Sequence, residues 1–284
     1  MAGAEEFTVS IAGVEIAGKR WRNGSRRVLA LHGWLDNAAS FDVLAPLLDA
    51  DIVALDMAGH GRSYHRTPQG TYNIWDDLPD ILRVADHLGW PRFHVLGHSR
   101  GAIIATLLAT ATERVESSVL LDGLRPDPTP LGDFCDQLGR HLQEHLAAAG
   151  NGSWYESPEF AVRVRCRATG MQESSARPIV ERALRRVDDG WSWRNDPRVR
   201  MASAVKMSPE QIGVVLQRFT QGSHLALLAD TGVGAMLKRQ RELEALPQLR
   251  YETLSGSHHF HMEEPASLLA EKIAVFWREL PADR

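Results

Sequence analysis

Phe93-His-Val-Leu-Gly-His-Ser-Arg-Gly101 is the stretch whose reading decides the fold. Phe93 to Leu96 is a short apolar run of strand type, Gly97 to Gly101 fits Gly-x-Ser-x-Gly, and Ala102 to Ala111 follows as an apolar helical stretch. That order is the context of a nucleophile elbow, a sharp strand-to-helix turn with a serine at its apex. The serine must take a strained backbone conformation, and glycines two positions to either side let strand and helix pass closely. Ser99 is thereby expected to expose its hydroxyl at the positive end of a helix, where developing negative charge is favoured.

Outward from the elbow, the chain alternates strand and helix signals. Phe7 to Ile11 and Val14 to Trp21 read as a hairpin around Gly13, and Arg27 to Leu31 reads as a buried strand ending at His32-Gly33-Trp34. Ser40 to Leu48 has helical spacing, Asp51 to Leu55 is a strand ending at Asp56, and Ile74 to Leu88 is an amphipathic helix with Pro79 near its start. Val115 to Leu121 is a strand ending at Asp122. Such alternation predicts a mainly parallel sheet with helices on both faces. From Arg125 the texture changes: Pro126, Pro128 and Pro130 break the rhythm, and the chain to about Gln221 holds helical segments with almost no strand signal. Strands return at His224 to Ala229 and Leu249 to Leu254, before a closing helix over Pro265 to Leu280. The expected organisation is a first core part over 1–124, a helical cap over 125–222 and a second core part over 223–284.

Composition narrows the function. The 284 residues are 44% hydrophobic and 24% charged, with a net charge of −4 and no basic block, which argues against nucleic acid as a partner. No apolar stretch reaches membrane-spanning length. Cys135 and Cys166 are the only cysteines, and residues 1–6 lack a basic start and an apolar run, so a reduced cytoplasmic setting is expected.

Ligands bind outside the carboxyl ends of strands in open α/β sheets, and four such ends carry suggestive residues: Trp34, Ser99, Asp122 and the segment around His258. A serine hydroxyl needs an imidazole base, and the imidazole needs a carboxylate to fix its tautomer. An oxyanion needs two preorganised N–H donors. The amides of Arg100 and Trp34 are the candidates. His258, His259 and His261 compete for the base in Ser255-Gly-Ser-His-His-Phe-His-Met-Glu-Glu-Pro265. No carboxylate or cysteine set at ligand spacing supports a metal there. His98 reads as loop packing beside the elbow. For the acid, Asp122 and Asp230 both end strands, whereas the turn-rich surroundings of Asp56 give it a structural role.

Together the elbow, His32-Gly33-Trp34, Asp56-x-x-Gly59-His60-Gly61-x-Ser63 and His258 through Pro265 resemble the α/β-hydrolase superfamily, over nearly the whole chain. His32 through Phe41 and Asp188-Asp-Gly-Trp191 through Asp196-Pro-Arg198 look most like the serine hydrolase-like proteins. The resemblance implies His258 as the base, because the family's His-x4-Glu-x-Pro pattern counts back from Pro265 through Glu263 to it. In many members the acid follows the seventh strand in a Gly-x-x-Asp pattern; here Ala229-Asp-Thr-Gly232 puts glycine at that place. Leu121-Asp-Gly-Leu-Arg-Pro-Asp-Pro-Thr129 instead resembles the acid segment after the sixth strand of haloalkane dehalogenases, which implies Asp122; dehalogenation is not implied, since those enzymes use an aspartate where this chain has Ser99.

The expectation is a Ser99–His258–Asp122 triad with Trp34 and Arg100 amides as oxyanion hole, hydrolysing a small carboxylic ester, lactone or thioester without any cofactor. The partner is a small, partly apolar molecule, in a pocket to which Trp154, Trp191 and Trp193 are available. Cofactor-free quinolone dioxygenases and hydroxynitrile lyases share such parts, so an oxygenase or lyase using His258 as general base is the alternative. A catalytically idle binding protein is a third reading, and one that has no need of all four parts together.

Overall fold

Apolar side chains alternate between the two faces of the strands, so the sheet must be covered on both sides. The computed structural model describes residues 3–147, 153–232, 243, 246 and 248–280. Eight strands form its main sheet: β1 (Glu5–Ile11), β2 (Val14–Arg22), β3 (Arg27–Leu31), β4 (Asp51–Leu55), β5 (Phe93–His98), β6 (Val115–Leu121), β10 (Ser223–Thr231) and β11 (Arg250–Ser257). Their order is β1-β2-β4-β3-β5-β6-β10-β11, and every pairing is parallel except those of β2.

One face buries Leu29, Leu31, Val53 and Val95 against α1 (Leu78–His87), α2 (Arg100–Ala111) and α6 (Pro209–Phe219) through Ile81, Val84, Ile104, Leu108, Ile212 and Phe219. The other buries Val28, Ala30, Ile52, Leu96, Val119 and Leu121 against Leu269, Ile273 and Phe276 of α7 (Ala266–Glu279). Residues 28 to 31 therefore divide strictly by parity, as a central strand must. This mainly parallel sheet between helical layers is the α/β-hydrolase fold expected from the sequence.

Between β6 and β10 the chain leaves the sheet. It forms α3 (Phe134–Leu146), α4 (Pro158–Thr169) and α5 (Glu173–Ala183), with a separate cluster of Tyr155, Ala161, Val162, Ile179, Val180 and Leu184. Two local expectations are corrected. The segment is not purely helical, since β7 (Trp154–Tyr155), β8 (Leu184–Val187) and β9 (Gly190–Trp193) form a small antiparallel sheet in the order β7-β9-β8. Its strands are too short for alternation to register in sequence. Ser40 to Leu48 is not one helix but two 3-10 turns, Ala38–Phe41 and Ala45–Leu47, with Pro46 opening the second. Pro79 sits in the first turn of α1, where its missing N–H costs nothing. Among the described residues no helix is long and apolar enough to cross a membrane, and both cysteines are free.

Candidate active site

Ser99 joins β5 to α2 with φ 52° and ψ −114°, a left-handed conformation that costs a non-glycine residue about 1–3 kcal/mol and persists only where the surroundings impose it. Here they do. A Cβ at Gly101 would lie 1.9 Å from the Leu31 carbonyl oxygen, and one at Gly97 would lie 2.4 Å from that of Gly101. The two glycines thus let α2 cross the strand ends at backbone contact, with Ser99 at the apex. Its amide donates to the Leu121 carbonyl at 2.9 Å, fixing the apex to the end of β6.

Asp122 follows at once, also at positive φ (45°) and buried. Its amide donates to the Leu227 carbonyl at 2.8 Å, its Oδ1 accepts from the Ala229 amide at 3.3 Å, and its Oδ2 lies 2.5 Å from His258 Nδ1. Since a carboxylate only accepts, Nδ1 carries the proton and Nε2 of His258 is left able to accept one. Burial holds the His258 imidazole below its ordinary range, against the upward pull of Asp122. The neutral, proton-accepting form therefore prevails at neutral pH. The other two histidines of the loop face elsewhere: His259 Nε2 is 3.2 Å from Asp36 Oδ2, and His261, fully buried, has Nε2 3.0 Å from Ser40 Oγ. The loop is set by Ser257, whose hydroxyl accepts from the His259 amide and donates to Glu263.

Asp230 takes a different path. It is exposed, and its Oδ1 accepts from the Gly256 amide at 2.9 Å, capping the neighbouring strand rather than a histidine. Gly232 explains how Asp122 has room: a Cβ there would lie 2.3 Å from Asp122 Oδ2. Asp56 is fully buried and accepts from the amides of Ala38 and Arg62 and from Arg182 Nε, a framework role that ties α5 to the sheet.

The turn carrying Trp34 is held by His32, whose Nδ1 bonds the Gly33 carbonyl at 2.7 Å while Nε2 accepts from the Met57 amide at 3.0 Å. Among the described residues no loop or cap hydrogen bond engages the amides of Trp34 or Arg100. Four contacts moor this loop to the segment between β6 and β10. Trp34 Nε1 donates to the Val199 carbonyl at 3.0 Å, and Asn37 Nδ2 to that of Ile179 at 2.8 Å. Arg165 donates to the Leu35 carbonyl at 3.0 Å and pairs with Asp36. Burial pushes the Asp36 carboxyl up, but His259 and Arg165 outweigh it and hold Asp36 well below the usual carboxylate range. Sequence reading missed this charged cluster, because Asp36 and Arg165 stand 129 residues apart. His98 belongs to it: its Nε2 donates to the His258 carbonyl at 2.9 Å, so the residue before Ser99 clamps the histidine loop. The ligand atoms of Asp36, His98 and His259 lie within 4.8 Å of one another, a spacing a cation could use, and the guanidinium of Arg165 already supplies positive charge there.

Ser99, His258, Trp34 and Gly232 all line one cavity of about 920 Å³, roomy enough for a ligand of drug size. Of the three tryptophans expected nearby, Trp193 lines it; Trp191 packs against the cluster behind it and Trp154 is exposed. Arg165 and Arg200 also reach the wall.

Comparison with known proteins follows the same lines. Residues 26–147 match the family model described as alpha/beta hydrolase fold. A serine hydrolase-like protein of Mus musculus is 41% identical over 287 residues, covering 92% of this chain and 91% of that protein. Its counterpart in Danio rerio is 29% identical over 281 residues, covering 93% and 86%. A hypothetical protein of Pseudomonas aeruginosa PAO1 superposes with a TM-score of 0.90 at 37% identity, covering 97% of this chain and all of that one. A thioesterase domain from the curacin biosynthetic pathway shares the fold, with a TM-score of 0.83 at 23% identity, covering 96% of this chain and 100% of that one.

Proposed function

This chain belongs to the serine hydrolase-like proteins of the α/β-hydrolase fold, and we propose that it hydrolyses a small carboxylic ester, lactone or thioester through an acyl-enzyme on Ser99. One observation carries the reading: a serine on a strained elbow shares a cavity with a histidine whose Nδ1 is 2.5 Å from a buried aspartate. In the proposed mechanism His258 Nε2 takes the Ser99 proton as Oγ attacks the carbonyl carbon. The amides of Trp34 and Arg100 bind the resulting oxyanion; one such donor is worth about 10²–10³ in turnover in enzymes of this kind. His258 then gives its proton to the departing alcohol or thiol. A water molecule, deprotonated by the same nitrogen, cleaves the acyl-enzyme to a carboxylic acid and regenerates Ser99. Asp122 holds the tautomer and stabilises the imidazolium without itself taking a proton. The segment between β6 and β10, residues 125–222, acts as a cap that shapes the pocket.

Ser99→Ala tests this. Turnover of 4-nitrophenyl esters should fall by on the order of 10⁶-fold, as when a serine nucleophile is removed elsewhere, and mass spectrometry should find the acyl group on Ser99 of the wild type. Hydrolysis surviving in the pure variant would overturn the nucleophile. Oxygen consumption on a hydroxyquinolone, with no ester turnover, would replace acyl transfer by oxygenation with His258 as base.

A further inference from the structure

Next to the cavity that holds Ser99 lies a second one of about 350 Å³, and the two share Trp34 and Arg200. Trp34 is half exposed, and its Nε1–Val199 bond pins the 3-10 turn Pro197–Arg200 beside it. The start of that turn is fixed as well: Asp196 accepts from Tyr72 Oη at 2.7 Å and from Arg198 Nη2 at 2.6 Å. Arg200 is thus presented from an anchored backbone at the junction of the two cavities.

Charge distinguishes this junction from its surroundings. Arg100 answers Asp77 at 2.7 Å, Arg182 answers Asp56, Arg198 answers Asp196, and Arg165 answers Asp36. Arg200 and Lys206 both line the second cavity, and among the described residues neither side chain has a hydrogen bond or an ion pair. The carboxylate on that wall, Asp127, has a fully exposed side chain and lies 3.9 Å from Arg125. Two cations in a concave, aromatic-walled site, with Trp34 and Trp75 among its walls, focus positive potential. A guanidinium presents a planar fork that matches carboxylate and phosphate oxygens.

We propose that the second cavity is a subsite for an anionic group, a carboxylate or phosphate, that the substrate carries away from its scissile bond. The substrate class is then an anionic ester or thioester, with the reacting carbonyl beside Ser99 and the charge reaching past Trp34 to Arg200 and Lys206. This rests on the hydrolase reading above.

Two matched pairs test it, one for each side of the scissile bond. Mono-4-nitrophenyl glutarate against 4-nitrophenyl pentanoate places the charge on the acyl group. Pentanoyl-phosphopantetheine against pentanoyl-pantetheine places it on the leaving group. In one pair the wild type should favour the anionic member by about tenfold in kcat/KM, the worth of one charge-assisted contact, with the preference falling as salt is raised. Arg200→Gln and Lys206→Gln should each shrink that ratio severalfold. A ratio near one in both pairs, or one that Arg200→Gln leaves as it was, overturns the subsite while ester turnover leaves the hydrolase reading standing. Calorimetric titration of the Ser99→Ala protein with the same pairs separates the two claims. Charge-selective binding that Arg200→Gln abolishes supports the subsite even if wild-type enzyme turns over neither ester. Charge-blind binding, or none, together with no turnover, ends both.

Discussion

β6 and β10 lie side by side and each delivers an aspartate to the same edge of the sheet, yet the two carboxylates have opposite fates. Asp122 is buried, sits at positive φ, and meets His258; Asp230 is exposed and caps a backbone amide of β11. Both are aspartates at the carboxyl ends of paired strands, but Leu121 pairs with Leu227, so Asp230 stands two residues further along than Asp122, and what the neighbouring chain leaves open differs as well. At the end of β10, Gly232 leaves the volume that Asp122 Oδ2 occupies, and any side chain there would enter it. Where a buried carboxylate can meet His258 is therefore a property of two adjacent strand ends together, the carboxylate on one and the glycine on the other that leaves it room.

The comparison breaks most decisively at Asp122. Asp122→Asn should lower kcat on a reactive ester by on the order of 10⁴-fold with the fold retained, since an amide can hold the imidazole in the wrong tautomer; circular dichroism beside steady-state kinetics checks both halves. Next comes the empty place opposite. Gly232→Ala should displace the Asp122 carboxylate and cost about 10²-fold in kcat, the scale of an ångström-sized misplacement at a reacting group. Wild-type kcat in a folded Gly232→Ala protein would show that the vacancy is incidental. Asp230→Asn should stay within about tenfold of wild type, roughly 1.4 kcal/mol in the barrier. A crippled Asp230→Asn beside a healthy Asp122→Asn would exchange the two roles.

The smallest effect is in pH. A base must be neutral to act, and burial lowers the His258 pKa from 6.5 against the raising hydrogen bond from Asp122. The acid limb of kcat/KM should then have its midpoint below 6.5, with activity lost only as pH falls through it. Asp122→Asn removes a raising interaction, so its residual activity should show a midpoint lower still, whereas Asp230→Asn should reproduce the wild-type limb. Profiles of the three proteins on one ester decide it.

Much of this architecture was legible in the chain itself. Strands Arg27–Leu31 and Asp51–Leu55 each carry a four-residue apolar run and Val115–Leu121 closes on Val-Leu-Leu, with turn formers beyond, so their ends coincide with the sequence reading. The residues expected to carry chemistry, Ser99, His258, Asp122, Trp34 and Arg100, all stand at such ends. The small sheet between β6 and β10 was not legible, because strands of two to four residues leave no periodicity. The Asp36–Arg165–His259 cluster escaped for another reason. Its members come from three distant segments, and a buried charge announces itself only through a partner that sequence order does not reveal.

The moorings of Trp34, Leu35, Asp36 and Asn37 bear on how freely this protein can be recombined. Each joins the loop after β3 to residues 165, 179 or 199, so one stretch of the outer segment and one stretch of the inner scaffold make up a single shared joint. A chimaera that imported the outer segment from a relative while keeping residues 34–37 would inherit mismatched halves of that joint. Where the imported segment carried no cation at residue 165, the buried Asp36 carboxylate would lose its guanidinium and keep only the imidazoles of His259 and His98 beside it, a destabilising change. Transplantable units in this chain are thus drawn by the hydrogen bonds that cross the seam, and the loop of residues 34–37 travels with the outer piece.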